Sequence, residues 1–414
     1  MWVKFMSWDY GALVFAIFWL AAIFFVVRWL FRREKSLARL VGFIAAGFAG
    51  VIGLILFAGS IAFQFGSRSE MASIERPGIM VDVGGYEIHI ACAGMSDSDD
   101  PTVIWIPGGH SPGLSMNHLH KAWQTDGRSC IIDRAGAGWS DPGPEPRSIK
   151  AIVTEFDKAL SGSGEAGPFI VVGHSLGGLV GVNWAARNTE DIVGLVALDP
   201  TPQEMIQTSG IQHEGGWCGA PSPGLQMSLS GFGIGHLVPS LHPMNSSFYR
   251  ELHAELEDEI LALKAMESRP RAILEGAKHY EVLCYSGYQT VRHPGALGDL
   301  PILSIVQPLK FDDEARAFAE QWSGVSDDFE WEVFKTSSEI AANEYPSFSS
   351  KGELKFLPGD WGHNFHLTNS DYVLENVKSF VAALGEASLE TAQETSLPIE
   401  EEAVDTGEPV APSE

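Results

Sequence analysis

Hydrophobic residues follow two different patterns along this 414-residue chain, and the change falls near Pro77. Before that point, two long apolar runs occupy residues 10–27 and 40–65, and each is about the length needed to cross a bilayer as a helix. After it, short apolar segments alternate with amphipathic stretches. This alternation predicts strands and helices in turn, and therefore a mostly parallel sheet with helices on both faces.

The apolar runs predict a two-helix membrane anchor over residues 1–66 and a juxtamembrane connector over residues 67–77. A signal sequence is the alternative for the first run, but no small-residue cleavage site follows it. A buried helical hairpin of a soluble protein is the other alternative. The loop between the runs is basic, with Arg28, Arg32, Arg33, Lys35 and Arg39 against the single acid Glu34. Such a loop is expected in the cytoplasm, and the rest of the chain on the extracytoplasmic side.

One domain is predicted over residues 78–385, and it begins with a hairpin that turns at Gly84-Gly85. Strands are predicted at Ile79–Val83, Tyr86–Ala93, Thr102–Ile106, Ser129–Ile132, Phe169–Val172, Ile192–Leu198, Ile302–Val306 and Glu353–Leu357. Helices are predicted at Ser115–Thr125, Ile149–Leu160, 246–268 and Asp371–Leu384.

Charge limits the partners that the chain can have. Lys and Arg number 27 against 53 Asp and Glu, which gives a net charge of −26 and a pI near 4.8. Because nucleic-acid phosphates would be repelled, no nucleic acid is expected as a partner. Part of the acidity lies in residues 386–414, which contain several prolines and neither Lys nor Arg. That segment is predicted to be an acidic, disordered tail.

The segment Gly173-His174-Ser175-Leu176-Gly177 carries the strongest chemical signal in the chain. A β-branched apolar run precedes this G-x-S-x-G pattern and a small-residue helical pattern follows it. This order predicts a sharp strand-to-helix turn that exposes Ser175 as a nucleophile. The amide of Leu176 would then lie at a helix N-terminus, directed at a developing oxyanion.

Three further motifs accompany this turn in a fixed order. They are Ile106-Pro107-Gly108-Gly109, the segment Asp133–Asp141 (DRAGAGWSD) and Gly362-His363. Together the four resemble the α/β-hydrolase superfamily over residues 78–384, although Pro107 stands where the family usually has a histidine. The resemblance implies the α/β-hydrolase fold with a helical lid insertion at about residues 200–300.

The resemblance also implies a catalytic triad and an oxyanion hole. Ser175 is the nucleophile, and His363 is the base because it follows the last strand. For the acid, Asp199 at the end of the sixth strand is favoured, as in some haloalkane dehalogenases. Asp312 or Asp313 is the alternative, since the usual acid follows the seventh strand, where this chain has Lys310. The amides of Gly109 and Leu176 are the expected oxyanion donors.

The implied activity is hydrolysis of a carboxylic ester, thioester or lactone through an acyl-enzyme, because the turn carries serine rather than aspartate. Apolar residues of the lid region favour an apolar small molecule or lipid as substrate. A catalytically silent binding or scaffold protein at the membrane is one alternative, and a C–C or amide hydrolase of the same fold is another.

No cofactor is expected. His110, His118 and His120 include a His-x-His spacing, but no cysteine or carboxylate cluster accompanies them, so no metal is expected either.

The four cysteines can form disulfides if the domain lies in an oxidising compartment. In the resembling fold the second and fourth strands are antiparallel neighbours, which implies a Cys92–Cys130 bond. Cys218 and Cys284 fall near the two ends of the lid, and a second bond is predicted between them.

Overall fold

The computed structural model of the protein describes residues 5–95, 100–109, 111–203, 224–238, 256, 259–285, 291, 293–322 and 325–396. Two long apolar helices come first, α1 (Gly11–Phe31) and α2 (Leu37–Met71). Their most apolar 18-residue windows are only 11% buried, and both helices are long and apolar enough to cross a membrane. The second helix extends beyond residues 40–65 and takes in the first part of the predicted connector.

Eight strands form one sheet: β1 (Ile79–Asp82), β2 (Glu87–Ala93), β3 (Thr102–Ile106), β4 (Ser129–Ile132), β5 (Phe169–His174), β6 (Ile192–Leu198), β7 (Ile302–Val306) and β8 (Gly352–Phe356). Their spatial order is β1-β2-β4-β3-β5-β6-β7-β8. The pairs β1–β2 and β2–β4 are antiparallel, and the remaining pairs are parallel. The predicted, mostly parallel sheet is therefore confirmed.

Helices cover both faces of the sheet, because alternate strand residues point to opposite sides. Four of the helices in these two layers are α3 (Asn117–Trp123), α4 (Ile149–Ser163), α5 (Leu176–Ala185) and the last described helix, Ser370–Ser396. Ile104 packs with α4 and α5 on one face. Trp105 packs with α3 and the last helix on the other.

The insertion between β6 and β7 is helical where the structure describes it. It contains α6 (Gly224–Gly231), α7 (Ile234–Leu237), α8 (Ile260–Ser268) and α9 (Pro270–Tyr285). The end of the predicted 246–268 helix is confirmed by α8, while residues 246–255 lie outside the described residues. The sequence pattern did not predict α6 or α7.

The described part of this insertion, the predicted lid, packs directly on the two apolar helices of the predicted anchor. The ring of Phe232 lies 5.7 Å from that of Phe15 in α1. A Cβ at Gly59 in α2 would lie 2.1 Å from the carbonyl oxygen of Phe232, so the two backbones touch. Lys264 of α8 forms a 2.9 Å salt bridge with Glu70 near the end of α2. Anchor and lid therefore form one packed unit.

Two helices that the sequence pattern did not predict join β7 to β8: α10 (Asp313–Trp322) and α11 (Asp328–Ser347). After β8 come a short helix, α12 (Phe365–Thr368), and the final helix α13 (Ser370–Ser396). The final helix extends beyond the predicted domain end at residue 385, into the segment predicted as a tail. Residues 397–414 of that segment lie outside the described residues.

Cys92 and Cys130 form a disulfide, which confirms the predicted pairing. The two residues are directly opposite in the antiparallel β2–β4 register, with Cα atoms 4.0 Å apart. The predicted Cys218–Cys284 bond stays a prediction, because Cys218 lies outside the described residues. The confirmed bond ties the hairpin β1–β2 to the parallel part of the sheet.

Removing this disulfide is expected to destabilise the domain by about 2–4 kcal/mol, because the bond closes a long loop in the unfolded chain. Chemical unfolding of the full chain in detergent would measure the loss in Cys92→Ala, Cys130→Ala and the double variant. The three variants should be equally destabilised, since each removes the same bond. A double variant as stable as the unmodified, oxidised protein would contradict the prediction.

Candidate active site

Ser175 stands between β5 and α5 in a strained backbone conformation. Its φ and ψ are 51° and −119°, a backbone conformation that residues other than glycine rarely adopt. The flanking glycines permit this turn. A Cβ at Gly177 would lie 2.3 Å from the carbonyl oxygen of Ile106, and one at Gly173 would lie 2.4 Å from that of Gly177. The turn therefore has the strand-to-helix geometry that the sequence predicted.

The loop after β3 packs against this turn. A Cβ at Gly108 would lie 2.9 Å from His174 Nδ1 and 3.3 Å from Ser175 Cβ. Gly109 is beside Leu176, whose side chain would contact a Cβ there at 3.7 Å. Leu176 is the first residue of α5, and an amide at this position has no acceptor within its own helix. Both predicted oxyanion residues thus border Ser175.

Arg134 holds the loop after β3 through hydrogen bonds. The sequence motif that contains it predicted no role for this side chain. Its guanidinium donates to the carbonyl oxygens of Pro107 at 2.7 Å, of Gly108, and of Ser111 at 3.4 Å. The side chain is fully buried, and that burial lowers the pKa of Arg134 to about 10. It therefore stays cationic at neutral pH. The Asp133–Asp141 motif was the only signal of it.

Asp133, the neighbour of Arg134, fixes the surrounding segments. Its carboxylate accepts from the amide of Gly113 at 2.6 Å and from that of Trp139 at 3.0 Å. It also contacts the Nδ1 of His89 at 2.9 Å, and both side chains are completely buried. The two adjacent charged residues thus organise the loop after β3 and the loop after β4 together.

His363 meets a carboxylate at the end of β6. Its Nδ1 lies 2.6 Å from Oδ2 of Asp199. The other carboxylate oxygen of Asp199 accepts from the amide of Gln307 at 3.4 Å. Asp199 has a φ of 41°, so its backbone is strained like that of Ser175. With Nδ1–H donating to Asp199, the Nε2 of His363 carries the lone pair.

The alternative acids occupy other positions. Asp312 caps α10 by accepting from the amide of Ala315 at 2.9 Å. Asp313 is the first residue of that helix. Lys310 lies 2.6 Å from Asp360, in the loop that carries His363. The structure therefore places Asp199 beside the imidazole of His363. It does not place Asp312 or Asp313 there.

Ser175 and His363 line one cavity of about 240 Å³, together with Gly108, Gly109 and Glu267 of the lid. Among the described residues, no hydrogen bond joins Ser175 to His363. His363 is half exposed, with 50% of its side chain accessible. The cavity thus gathers the predicted nucleophile, base and one oxyanion residue beneath the lid.

The remaining histidines of the region have separate partners. His174 donates from Nε2 to the carbonyl oxygen of His363 at 2.9 Å and stacks on His366 at 3.9 Å. His118 donates to the carbonyl oxygen of His366, while His120 contacts Ser129 Oγ, each at 2.8 Å. His118 and His120 thus point to different neighbours, and His110 lies outside the described residues.

A known protein family matches more than half of this chain. The model of the alpha/beta hydrolase family matches residues 103–338, which include most of β3, Ser175, Asp199 and the insertion between β6 and β7. The chain belongs to the alpha/beta hydrolase family. This confirms the resemblance that the four sequence motifs carry and the fold class that they imply.

Individual relatives of this hydrolase are distant. It is 26% identical to the protein YbdG of Bacillus subtilis over 43% of this chain and 56% of that protein. It is 28% identical to a vacuolar membrane protein of Saccharomyces cerevisiae over 31% of this chain and 22% of that one. The Cif epoxide hydrolase from Acinetobacter nosocomialis has the same fold, with a TM-score of 0.52 and 13% identity over 78% of this chain and 96% of that one.

Burial of His174 is expected to make the hydrolase less stable in acid. Desolvation is the main cause that lowers the pKa of His174 to about 3, from 6.5 in the unfolded chain. Between these values the unfolded state binds a proton that the folded state does not, so stability is complete above pH 6.5 and falls toward pH 3. The loss between pH 7 and pH 5 is about 2 kcal/mol.

Urea unfolding of the full chain in detergent at pH 7 and pH 5 checks this. The variant His174→Gln keeps a donor for the His363 carbonyl but does not titrate, so its loss of stability should be smaller by about 2 kcal/mol. Buried His120, whose pKa is lowered to about 4, contributes equally to both proteins. An unchanged difference between the two pH values would rule out His174 as a source.

Proposed function

We propose that this protein is a membrane-anchored serine hydrolase that cleaves a carboxylic ester, thioester or lactone of an apolar molecule. The observation that carries the proposal is the 2.6 Å contact between Asp199 and His363 Nδ1, in a loop that shares a cavity with Ser175. A carboxylate in this position fixes the imidazole tautomer that can accept a proton at Nε2. Ser175 is the nucleophile, His363 the base and Asp199 the acid.

The reaction proceeds in two halves. Ser175 Oγ attacks the ester carbonyl carbon while its proton passes to His363 Nε2, and the carbonyl oxygen becomes an oxyanion. The C–O bond then breaks, and His363 returns the proton to the leaving alcohol. A water molecule repeats the sequence on the acyl-serine, which releases the acid and restores Ser175.

The amides of Gly109 and Leu176 are proposed to stabilise the oxyanion. Leu176 lies at the start of α5, where the helix dipole adds to its own N–H. Arg134 acts as a positioning residue, because its hydrogen bonds hold the carbonyl groups of Pro107 and Gly108 away from this site. The amide N–H of Gly109 belongs to the same peptide group as the Gly108 carbonyl, so it points in the opposite direction, away from Arg134.

Apolar substrates are proposed because the lid lies against the anchor. Lid residues Phe232 and Met227 are buried with Phe15 and Leu56 of the apolar helices. Neighbouring lid residues Leu225 and Leu229 are exposed, at 72% and 48%. Molecules that partition into a bilayer would be concentrated at this face.

The triad is tested by hydrolysis of p-nitrophenyl esters of graded chain length, with fluorophosphonate labelling of the serine. Ser175→Ala should lose both activity and labelling, because it has no nucleophile. Asp199→Asn should lower kcat by about 10⁴-fold, since the imidazole takes the wrong tautomer.

Asp312→Asn is the matched control and should retain activity, because that carboxylate only caps a helix. Loss of activity in Asp312→Asn but not in Asp199→Asn would reverse the assignment of the acid. A folded protein that neither reacts with the probe nor hydrolyses any ester would instead be a silent binding or scaffold protein.

The domain is proposed to be extracytoplasmic. The basic loop between α1 and α2 favours a cytoplasmic position for that loop, and the Cys92–Cys130 disulfide suits an oxidising compartment. Both ends of the α1–α2 hairpin would then face outward with the enzyme.

Two exposed serines allow a direct test of orientation. Ser36→Cys lies in the basic loop, and Ser73→Cys lies just after α2. In intact cells that express the full chain, a membrane-impermeant maleimide should label Ser73→Cys only, and permeabilised cells should label both. Labelling of Ser36→Cys alone in intact cells would invert the proposed topology.

A further inference from the structure

A second cavity, of about 410 Å³, lies between the anchor and the hydrolase domain, apart from the catalytic cavity. The anchor contributes Asp9 and Tyr10 before α1 and Arg68 near the end of α2. The hydrolase contributes Trp139 from the loop after β4 and Arg269 from the junction of α8 and α9. We call this the junction cavity.

The junction cavity lies where the apolar runs of the anchor end. Asp9 directly precedes the run 10–27, and Arg68 follows the run 40–65. The two ends are level with each other, because the Arg68 guanidinium donates to the hydroxyl of Tyr10 and Gln64 donates to the carbonyl oxygen of Asp9. If the runs cross a bilayer, as proposed above, the cavity lies at the depth of the lipid headgroups.

Two guanidiniums converge on this cavity without a salt bridge to any described carboxylate. Arg68 contacts Tyr10 through its hydrogen bond and by lying 5.7 Å from the ring centre. Arg269 donates to the carbonyl oxygen of Gly138 at 2.7 Å, and its Nε is buried without a hydrogen-bond partner among the described residues. In a chain with a net charge of −26, such a pair is unexpected.

The charges of the cavity favour a monoanion. Two guanidiniums against the carboxylate of Asp9 leave a net charge of +1, and Oδ1 of Asp9 is buried without a hydrogen-bond partner in the described structure. Burial and the neighbouring Arg271 lower the pKa of Arg269, while the carboxylates of Asp9 and Asp133 offset part of that effect. A bound anion would add to this partial compensation.

We infer that the junction cavity binds a phosphate group through Arg68 and Arg269, and that the group is the phosphodiester headgroup of an anionic phospholipid. Guanidinium forks match the geometry of phosphate oxygens, and a phosphodiester carries the single charge that neutralises the cavity. The position at the bilayer edge favours a lipid over a soluble phosphate. This source of the phosphate rests on the membrane placement proposed above.

The site also has a short connection to catalysis. Glu267 lines the catalytic cavity and Arg269 lines the junction cavity, with only Ser268 between them. Arg269 also holds Gly138, in the loop that Asp133 organises. A headgroup on Arg269 would therefore fix the junction of α8 and α9 that forms one wall of the catalytic cavity.

The test measures lipid retention by the full chain in nanodiscs that contain phosphatidylglycerol and phosphatidylcholine with the same acyl chains. Native mass spectrometry after transfer to detergent should show phosphatidylglycerol retained preferentially. Arg68→Gln and Arg269→Gln should each weaken retention about tenfold, because each removes a charge-assisted hydrogen bond. Asp9→Asn should strengthen it, since the cavity gains positive charge.

Arg76→Gln is the matched control: it removes the same charge from an exposed residue on the same side of the anchor. Equal loss in Arg76→Gln, or equal retention of both lipids, would overturn the inference. Displacement of the lipid by millimolar inorganic phosphate would overturn the lipid as the source.

Ser175→Ala should retain the lipid like the unmodified protein. Failure of the proposed hydrolase activity would leave this binding result unchanged, so the two proposals fail separately. If Arg269→Gln does not fold, Arg68→Gln still decides the outcome, because Arg68 is exposed and its side chain donates a hydrogen bond only to Tyr10 among the described residues.

Discussion

The buried pair Asp133-Arg134 is the interaction on which the rest of the site depends. Charged groups are costly to bury unless their hydrogen bonds are satisfied. The two terminal nitrogens of Arg134 donate to backbone carbonyls of the loop after β3, and Asp133 accepts from amides of two loops. These loops cannot move away without leaving a charge unsolvated. The loop after β3, which borders Ser175, is thereby fixed to the sheet.

The lid and the anchor share one apolar interface, which fixes the position of the lid. Phe232 of the lid packs on Phe15, and the backbones meet at Gly59. A larger residue than glycine at position 59 would separate them. The lid is therefore held at a fixed position relative to the apolar helices.

The sequence predicted most of the fold because its signals are local. The alternation and length of the apolar segments identified the strands and the apolar helices. The spacing of the glycines identified the turn at Ser175. Asp199 could only be favoured over Asp312 from sequence, because both positions suit an aspartate for ordinary reasons. The structure separates them by a contact between residues far apart in the chain. Arg134 and Arg269 were missed for the same reason, since their partners are backbone groups that have no sequence signature.

The Cys92–Cys130 bond has a mechanical consequence for the proposed membrane-tethered enzyme. A pull transmitted along the chain from α2 enters the domain at Pro77 and reaches β1, an edge strand that pairs only with β2 in the described sheet. An edge strand can be peeled from a sheet one hydrogen bond at a time. The covalent bond between β2 and β4 stops this unzipping at the second strand, so the load passes to β2 and β4 together instead of to one strand at a time.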